Sequence, residues 1–252
     1  MKQVILLHKK EGETPLEALG VFRRKHPAYA RVPMTYAGRL DPMASGALLV
    51  LVGEECKHKE KYLSLDKEYE FEILFGVSTD TYDILGKIQQ ADILENSKIP
   101  EKDLLKKIKK HLLYFKGKFT QKYPIYSSKT VHGKPLFEYG REGIDVEVPQ
   151  REVSVKKLQL LHLRKITSKK LLANIEKRIG KVKGDFRQAE ILSNWREVLK
   201  NKKESYYVGY FRIACSSGTY VRGIAYGLGE SLGIPALAHK IKRTKIGKYA
   251  KV

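Results

Sequence analysis

Ala47-Leu-Leu-Val-Leu-Val52 is an unbroken apolar run closed by Gly53. A run this short and this uniform predicts a buried strand, and a chain that carries one has to build a sheet around it. The stretch just before it, Tyr36-Ala-Gly-Arg-Leu-Asp-Pro-Met-Ala-Ser-Gly46, obeys no rule for a core element. Gly38 and Gly46 loosen the backbone, and Asp41-Pro42 is a turn-initiating pair. A tight loop is expected, carrying a single carboxylate, Asp41, on a rigid support. Loops held in this way often carry function. The competing reading is that Asp41 caps its own turn through the backbone.

Composition narrows the class of partner. With 42% apolar residues among 252, the chain can bury a core. Its 49 Lys and Arg against 28 Asp and Glu leave a net charge of +21, which points to a polyanion, nucleic acid first. No long apolar run or strongly basic amphipathic helix suggests a membrane. Cys56 and Cys215 lie far apart without zinc spacing, so neither a metal site nor a disulfide framework is expected. The N-terminal run Val4–Leu7 is too short for a signal peptide and reads as a first strand. A cytoplasmic protein is expected.

Along the chain, Thr14-Pro15-Leu16-Glu17 predicts a helix start with a capping box. Leu16, Leu19 and Phe22 would form its apolar side, and Arg23, Arg24 and Lys25 its dipole-matched end. Tyr69, Phe71, Ile73 and Phe75 alternate along a strand. The polar loop Ser78–Asp83 follows, closed by Gly86, and a helix is predicted over Pro100–Phe115 around Leu104, Leu105, Ile108 and Leu112. From Tyr123 to Gly143 basic and aromatic residues interleave on a turn-rich segment, a mixture suited to unstacked RNA bases or to anchoring loops on the core. Val153–Ile166 reads as one or two strands.

Residues 167–204 change character. They carry 11 Lys and Arg against 5 Asp and Glu and are expected to form an inserted basic helical hairpin with Phe186, Leu192, Trp195 and Leu199 inward. Tyr206–Cys215 is a strand, Ser216–Thr219 a turn, and Val221, Ile224, Ala225, Leu228 and Leu232 mark a helix stopped by Gly233. The tail from His239 to Val252 holds six Lys and Arg and no acid. Strands and helices without a regular βα period predict an α+β (mixed α/β) fold. Gly227-Leu-Gly229 with Gly233 lies inside a helix and is spaced wrongly for a dinucleotide fingerprint. Asp80 and Asp83 on one turn read as turn formers, and there is no Walker loop or Ser-His-Asp set.

Several blocks in order resemble one family, the TruB-type tRNA pseudouridine synthases. Gly38-Arg-Leu-Asp-Pro-Met-Ala-Ser-Gly46 is similar to its catalytic motif. Gly53–Lys57, Asp66–Tyr69, Gly76–Asp83 with Gly86, Tyr126–Gly133 with Glu138–Gly143, Cys215–Arg222 and Ile241–Gly247 follow. The resemblance implies an eight-stranded mixed, mostly antiparallel sheet with flanking helices and a central catalytic cleft, in a single catalytic domain spanning residues 1–252. It implies isomerisation of a T-loop uridine of tRNA, at position 55, to pseudouridine, with no cofactor and no metal. By position Asp41 would be the nucleophile, attacking sugar or base, and Arg222 its salt-bridge partner. Tyr69 would be the ring that stacks on the flipped base and removes a proton. Tyr220 and Ile241 would line the base pocket. Lys9, Gly38, Lys57 and Asp80 would contact substrate, as would Tyr36, which stands where the family usually has His.

These types suit the task. An ionised carboxylate adds to a nucleotide and leaves again, an arginine stays protonated beside it, and an aromatic ring receives a flipped base. The partner implied is the T-arm of tRNA, bound by a monomer. The C-terminal RNA-binding (PUA) domain of many members is expected to be missing, with the basic hairpin taking part of its contact. Two alternatives remain open: a tRNA-binding or tRNA-folding module with weak or no catalysis, and a guide-RNA-dependent synthase of the dyskerin-like kind.

Overall fold

The computed structural model describes residues 2–92 and 99–250; Met1 and the last two residues of the basic tail lie outside the described residues. The chain begins with β1 (Val4–Lys9) and α1 (Pro15–Lys25), whose capping box is made by Thr14 and Glu17 in both directions. Next come β2 (Met34–Ala37), β3 (Ala44–Val52), the short α2 (Lys59–Leu63) and β4 (Lys67–Phe75). After β5 (Val77–Thr79) and β6 (Ile88–Ala91), α3 (Glu101–His111) leads to β7 (Gly117–Lys122). The aromatic segment holds β8 (Thr130–Val131), β9 (Lys134–Pro135) and α4 (Leu136–Glu142). The long β10 (Gln150–Thr167) is followed by α5 (Ser168–Ile179), α6 (Gln188–Leu199) and β11 (Ser205–Cys215). The chain closes with α7 (Val221–Leu232), β12 (Ala236–Ile246) and β13 (Tyr249–Ala250).

One mixed sheet dominates, in the order β1-β3-β12-β4-β11-β10-β7, with β2 on β3 and β13 on β12. Among the described residues it has nine strands rather than the eight expected, counting β2 and β13 beside the seven of the main path. Only the β3–β12 pairing is parallel among those described in this sheet. The alternation of β4 works as expected: Tyr69, Phe71, Ile73 and Phe75 enter one core with Leu104 and Ile108 of α3 and Ile224 and Leu228 of α7. On the opposite face Leu74, Val208 and Leu237 pack with Leu171 and Ile175 of α5 and with Ile191 and Trp195 of α6. Helices therefore cover both faces of the central strands, where apolar burial is the main stabilising term.

Some expectations change. Leu16 is 68% exposed; α1 instead buries Pro15, Ala18 and Leu19, because its inward stripe is set by contact with Leu48 and Val50. Val153–Ile166 is part of one continuous strand. The loop expected over Tyr36–Gly46 is shorter, since β2 takes its first two residues and β3 its last three. Most of the basic tail is no tail: β12 lies inside the sheet between β3 and β4.

Candidate active site

The aspartate loop sits where one edge of β3 changes partner. β2 pairs with Leu49–Val52, whereas β12 pairs with Ala44–Gly46, and residues 38–43 leave through the fork between them. Close approach at this fork requires glycine: Gly46 has φ +108°, and a Cβ there would lie 2.1 Å from the Arg243 carbonyl oxygen. Buried Arg243 stitches the two arms together, donating from Nε to the Ala47 carbonyl at 2.8 Å and from Nη2 to the Gly38 carbonyl at 3.0 Å. From beneath, fully buried Lys9 donates through Nζ to the carbonyls of Ala44 (2.6 Å), Lys10 (2.9 Å) and Pro42 (3.3 Å). Burial lowers its pKa to about 8, against an opposing pull from Asp41.

Asp41 is thus presented on a braced loop with its side chain 37% exposed. Its partner comes from the far end of the chain. Arg222, in the first turn of α7 and 3% exposed, donates from Nε to Asp41 Oδ2 at 2.8 Å. Its Nη1 donates to the Thr81 carbonyl at 2.5 Å and its Nη2 to the Tyr126 carbonyl at 3.2 Å. A second carboxylate, Asp83, places Oδ2 3.8 Å from Arg222 Nε. Burial works against the guanidinium charge, but Asp41 and Asp83 outweigh it and hold its pKa above the ordinary value. Burial pushes the Asp83 carboxyl up, and Arg222 offsets part of that. Asp83 is fixed by donors from Thr81 Oγ1 and the Leu85 amide, both at 2.9 Å.

A cleft of about 500 Å³ opens over this pair. Gly38, Asp41, Tyr69, Tyr220, Arg222 and Ile241 all line it. Tyr69 lies on β4 beside Arg243 of β12 in the ladder, and burial raises its phenol. Tyr220 caps α7 and is pinned by the Gln121 side chain, which accepts from its amide at 2.9 Å and donates to its carbonyl at 3.0 Å. The other four expected substrate residues lie off the cleft wall. Lys9 is beneath the loop, and Tyr36 packs near Leu48 and Val50 with Lys59 Nζ 5.9 Å from its ring centroid. Lys57 makes an exposed ion pair with Glu54 at 2.6 Å. Asp80 pairs with Arg187 at 3.0 Å.

Sequence reasoning passed over Lys67, Arg151 and Arg243 as site residues, although they line the cleft, and took Asp83, the second carboxylate beside Arg222, for a turn former only. Two of them had a signal. Lys67 falls two residues before Tyr69 on an alternating strand, and Arg243 two residues after Ile241, so each belongs on an inward face. Burial, then Arg243, lowers Lys67 to about 8. Among the described residues no group of three or more His, Cys, Asp or Glu is arranged to hold a metal ion. No described helix is long and apolar enough to cross a membrane.

The fold is shared with solved structures. A chain of the crystal structure of a Cbf5-Nop10-Gar1 complex matches with a TM-score of 0.56 over 99% of this chain and 50% of that one, at 18% identity. A structure of an H/ACA RNP bound to a substrate RNA containing 2′-deoxyuridine matches with 0.54, over 99% and 49%, at 17%. The class is therefore, at the level of fold, that of these two chains.

Sequence narrows it further. Residues 27–184 match the family described as TruB family pseudouridylate synthase, N-terminal domain. Three similar proteins are each named tRNA pseudouridine synthase B. That of Lactobacillus acidophilus is 32% identical over 95% of this chain and 67% of its own length. The Bacillus pumilus protein is 31% identical over 98% and 65%, and the Protochlamydia amoebophila protein 30% over 99% and 76%. The chain belongs to the TruB family of pseudouridylate synthases, which are isomerases. It spans roughly two thirds to three quarters of these relatives and about half of the two solved chains.

Proposed function

We propose that this chain converts uridine to pseudouridine in tRNA, at position 55 of the T-loop, with Asp41 as the nucleophile. The observation that carries the reading is the Asp41–Arg222 pair, held at 2.8 Å at the mouth of a cleft that also holds Tyr69. Arg222 occupies Oδ2, leaving Oδ1 to attack. The isomerisation breaks the N1–C1′ bond and forms C5–C1′, with one proton leaving C5 and one gained at N1, so no co-reactant is consumed. Asp41 adds to the nucleotide, at sugar or base, and departs when the new bond is made.

The base reaches the cleft only if it is flipped out, at a cost of roughly a few kcal/mol. Stacking on Tyr69, against the wall of Ile241 and Tyr220, offsets that cost. Burial keeps the Tyr69 phenol protonated at neutral pH, so it acts as platform and donor in the resting site. Lys67, Arg151 and Arg243 supply positive charge for the flanking phosphates. The enzyme is read as a cytoplasmic monomer acting on the T-arm.

The test is incubation with unmodified tRNA transcripts, with pseudouridine read by mass or chemical labelling. Wild type is expected to modify the T-loop site, and Asp41→Asn to lose all turnover while retaining binding. Product formed by Asp41→Asn would overturn the nucleophile assignment. Binding without turnover by the wild type would favour a tRNA-folding module.

A further inference from the structure

The helical pair α5 and α6 connects β10 to β11, and its turn carries a side chain into the support of the catalytic arginine. Arg187 lies at that turn as the N-cap of α6, with φ 61°. A non-glycine residue in the left-handed region is unfavourable, yet the turn is over-determined. Gln188 Nε2 donates to the carbonyls of Val182 (3.2 Å) and Gly184 (2.7 Å), and its Oε1 accepts from the Phe186 amide at 2.9 Å. The Arg187 amide donates to Asp185 Oδ1 at 3.2 Å, and Arg141 Nη2 donates to the Asp185 carbonyl at 2.6 Å. Trp195 of α6 is fully buried and donates to the Ile84 carbonyl at 3.2 Å, and Asn194 Oδ1 accepts from the Ile88 amide at 2.7 Å. The turn is therefore fixed by Arg141, and the helix that follows it is tied to the segment just after the Asp80–Asp83 loop.

From this anchored position the Arg187 guanidinium makes two contacts. Its Nη2 lies 3.0 Å from Asp80 Oδ2, and its Cζ lies 4.5 Å from the centroid of the Tyr126 ring. Both partners sit at the backbone that holds Arg222. Asp80 precedes Thr81, whose carbonyl accepts from Arg222 Nη1, and Tyr126 itself supplies the carbonyl that accepts from Nη2. Asp80 is tied to its own turn through Oδ1, which accepts from the Lys87 amide at 2.8 Å, and Tyr126 through its hydroxyl, which donates to the Gly140 carbonyl at 2.9 Å. Arg187 joins these two segments across the back of the site, where the Tyr126 hydroxyl and the Asp80 carboxylate also face each other. A planar guanidinium is suited to the task, because it can pair with a carboxylate and lie on a ring at once.

We propose that Arg187 is a positioning residue for the reaction: by clamping Asp80 to Tyr126 it sets the two carbonyls that orient Arg222, and so sets Asp41. The inference rests on the reading of Asp41 and Arg222 as the catalytic pair. Arg187 lies behind the cleft and is absent from its wall, so its removal acts on the chemical step and leaves RNA binding in place.

The experiment compares wild type, Arg187→Gly and Arg187→Lys in single-turnover pseudouridine formation with enzyme in excess, and in filter binding to the same transcript. Glycine keeps the left-handed turn comfortable, so the backbone is not the variable. Arg187→Gly is expected to slow the chemical step on the order of tenfold or more, the scale of loss a small misplacement produces, with Kd changed less than about twofold. Arg187→Lys keeps the charge toward Asp80 without the planar stack, and is expected to recover part of the rate. Single-turnover rates for both variants within about twofold of wild type would overturn the inference and leave the functional reading standing. So would a rate loss matched by loss of affinity, which would make Arg187 an RNA contact. A wild-type chain that makes no pseudouridine removes the functional reading itself, and the inference with it. Melting curves for both variants exclude a folding defect, and the lysine variant carries the test if the glycine variant does not fold.

Discussion

Arg222→Met should expose what the guanidinium does for its second carboxylate. Methionine fills much of the same volume without charge, so the variant leaves Asp83 buried without its cation, and the Thr81 and Tyr126 carbonyls without a donor. Breaking a buried pair by removing one partner typically costs about 3–5 kcal/mol. A second bound comes from proton linkage. Burial already raises the Asp83 carboxyl, and loss of Arg222 raises it further. The folded variant then keeps a proton that the unfolded chain, titrating near about 3.9, has released. Holding that proton at pH 7 costs at most about 4 kcal/mol, at ~1.4 kcal/mol per pH unit.

The sign follows from the proton count. Between the Asp83 pKa with Arg222 and the higher one without it, the folded variant binds more protons than wild type. The stability difference therefore grows as pH rises through that window and shrinks on acidification. Trp195, the only tryptophan of the chain and fully buried, reports unfolding in urea by fluorescence. The expected result is a loss of about 3–5 kcal/mol at pH 7 that becomes smaller at pH 5.5. Adding Asp83→Asn should restore stability while pseudouridine formation stays absent. An equal loss at both pH values, with no rescue by Asp83→Asn, would refute the claim that Arg222 neutralises Asp83.

Two further perturbations test the fork and the cleft wall. Lys67, lowered to about 8, loses its charge as pH rises past that value, so RNA affinity should weaken above about pH 8. Lys67→Arg should move that decline beyond the range of a filter-binding series run up to about pH 9.5, and an unchanged profile would place the titration elsewhere. Gly46→Ala puts a methyl group 2.1 Å from the Arg243 carbonyl oxygen at φ +108°. It should cost at least about 2 kcal/mol and lower the melting temperature by at least about 4 °C; a melt matching wild type would mean that β3 and β12 part easily there.

The α1 capping box, the alternating face of β4, the Gly233 stop and the buried run of β3 all follow from spacings of a few residues. Local backbone chemistry decides such features before any tertiary contact forms. Asp41 was visible in the same way, as a carboxylate on a turn next to that run. Its partner was legible only through resemblance to a family, since nothing local ties residue 41 to residue 222. The basic run from His239 onward read as a tail, yet most of it became β12, where Ile241 and Arg243 turn inward between exposed lysines and a register shift after Arg243 brings Ile246 in.

Tertiary structure alone decided which charges are neutralised and which backbones meet. The order β3-β12-β4 brings Tyr69 beside Arg243, opens the fork at Gly46 and lets the start of α7 face the aspartate loop. Asp83 owes its place to that order as well, through its bridge to Ala238 of β12. A side chain's periodicity states which face it takes, but the energy of a buried ion pair depends on a partner that the chain's path, and not its neighbours, must deliver.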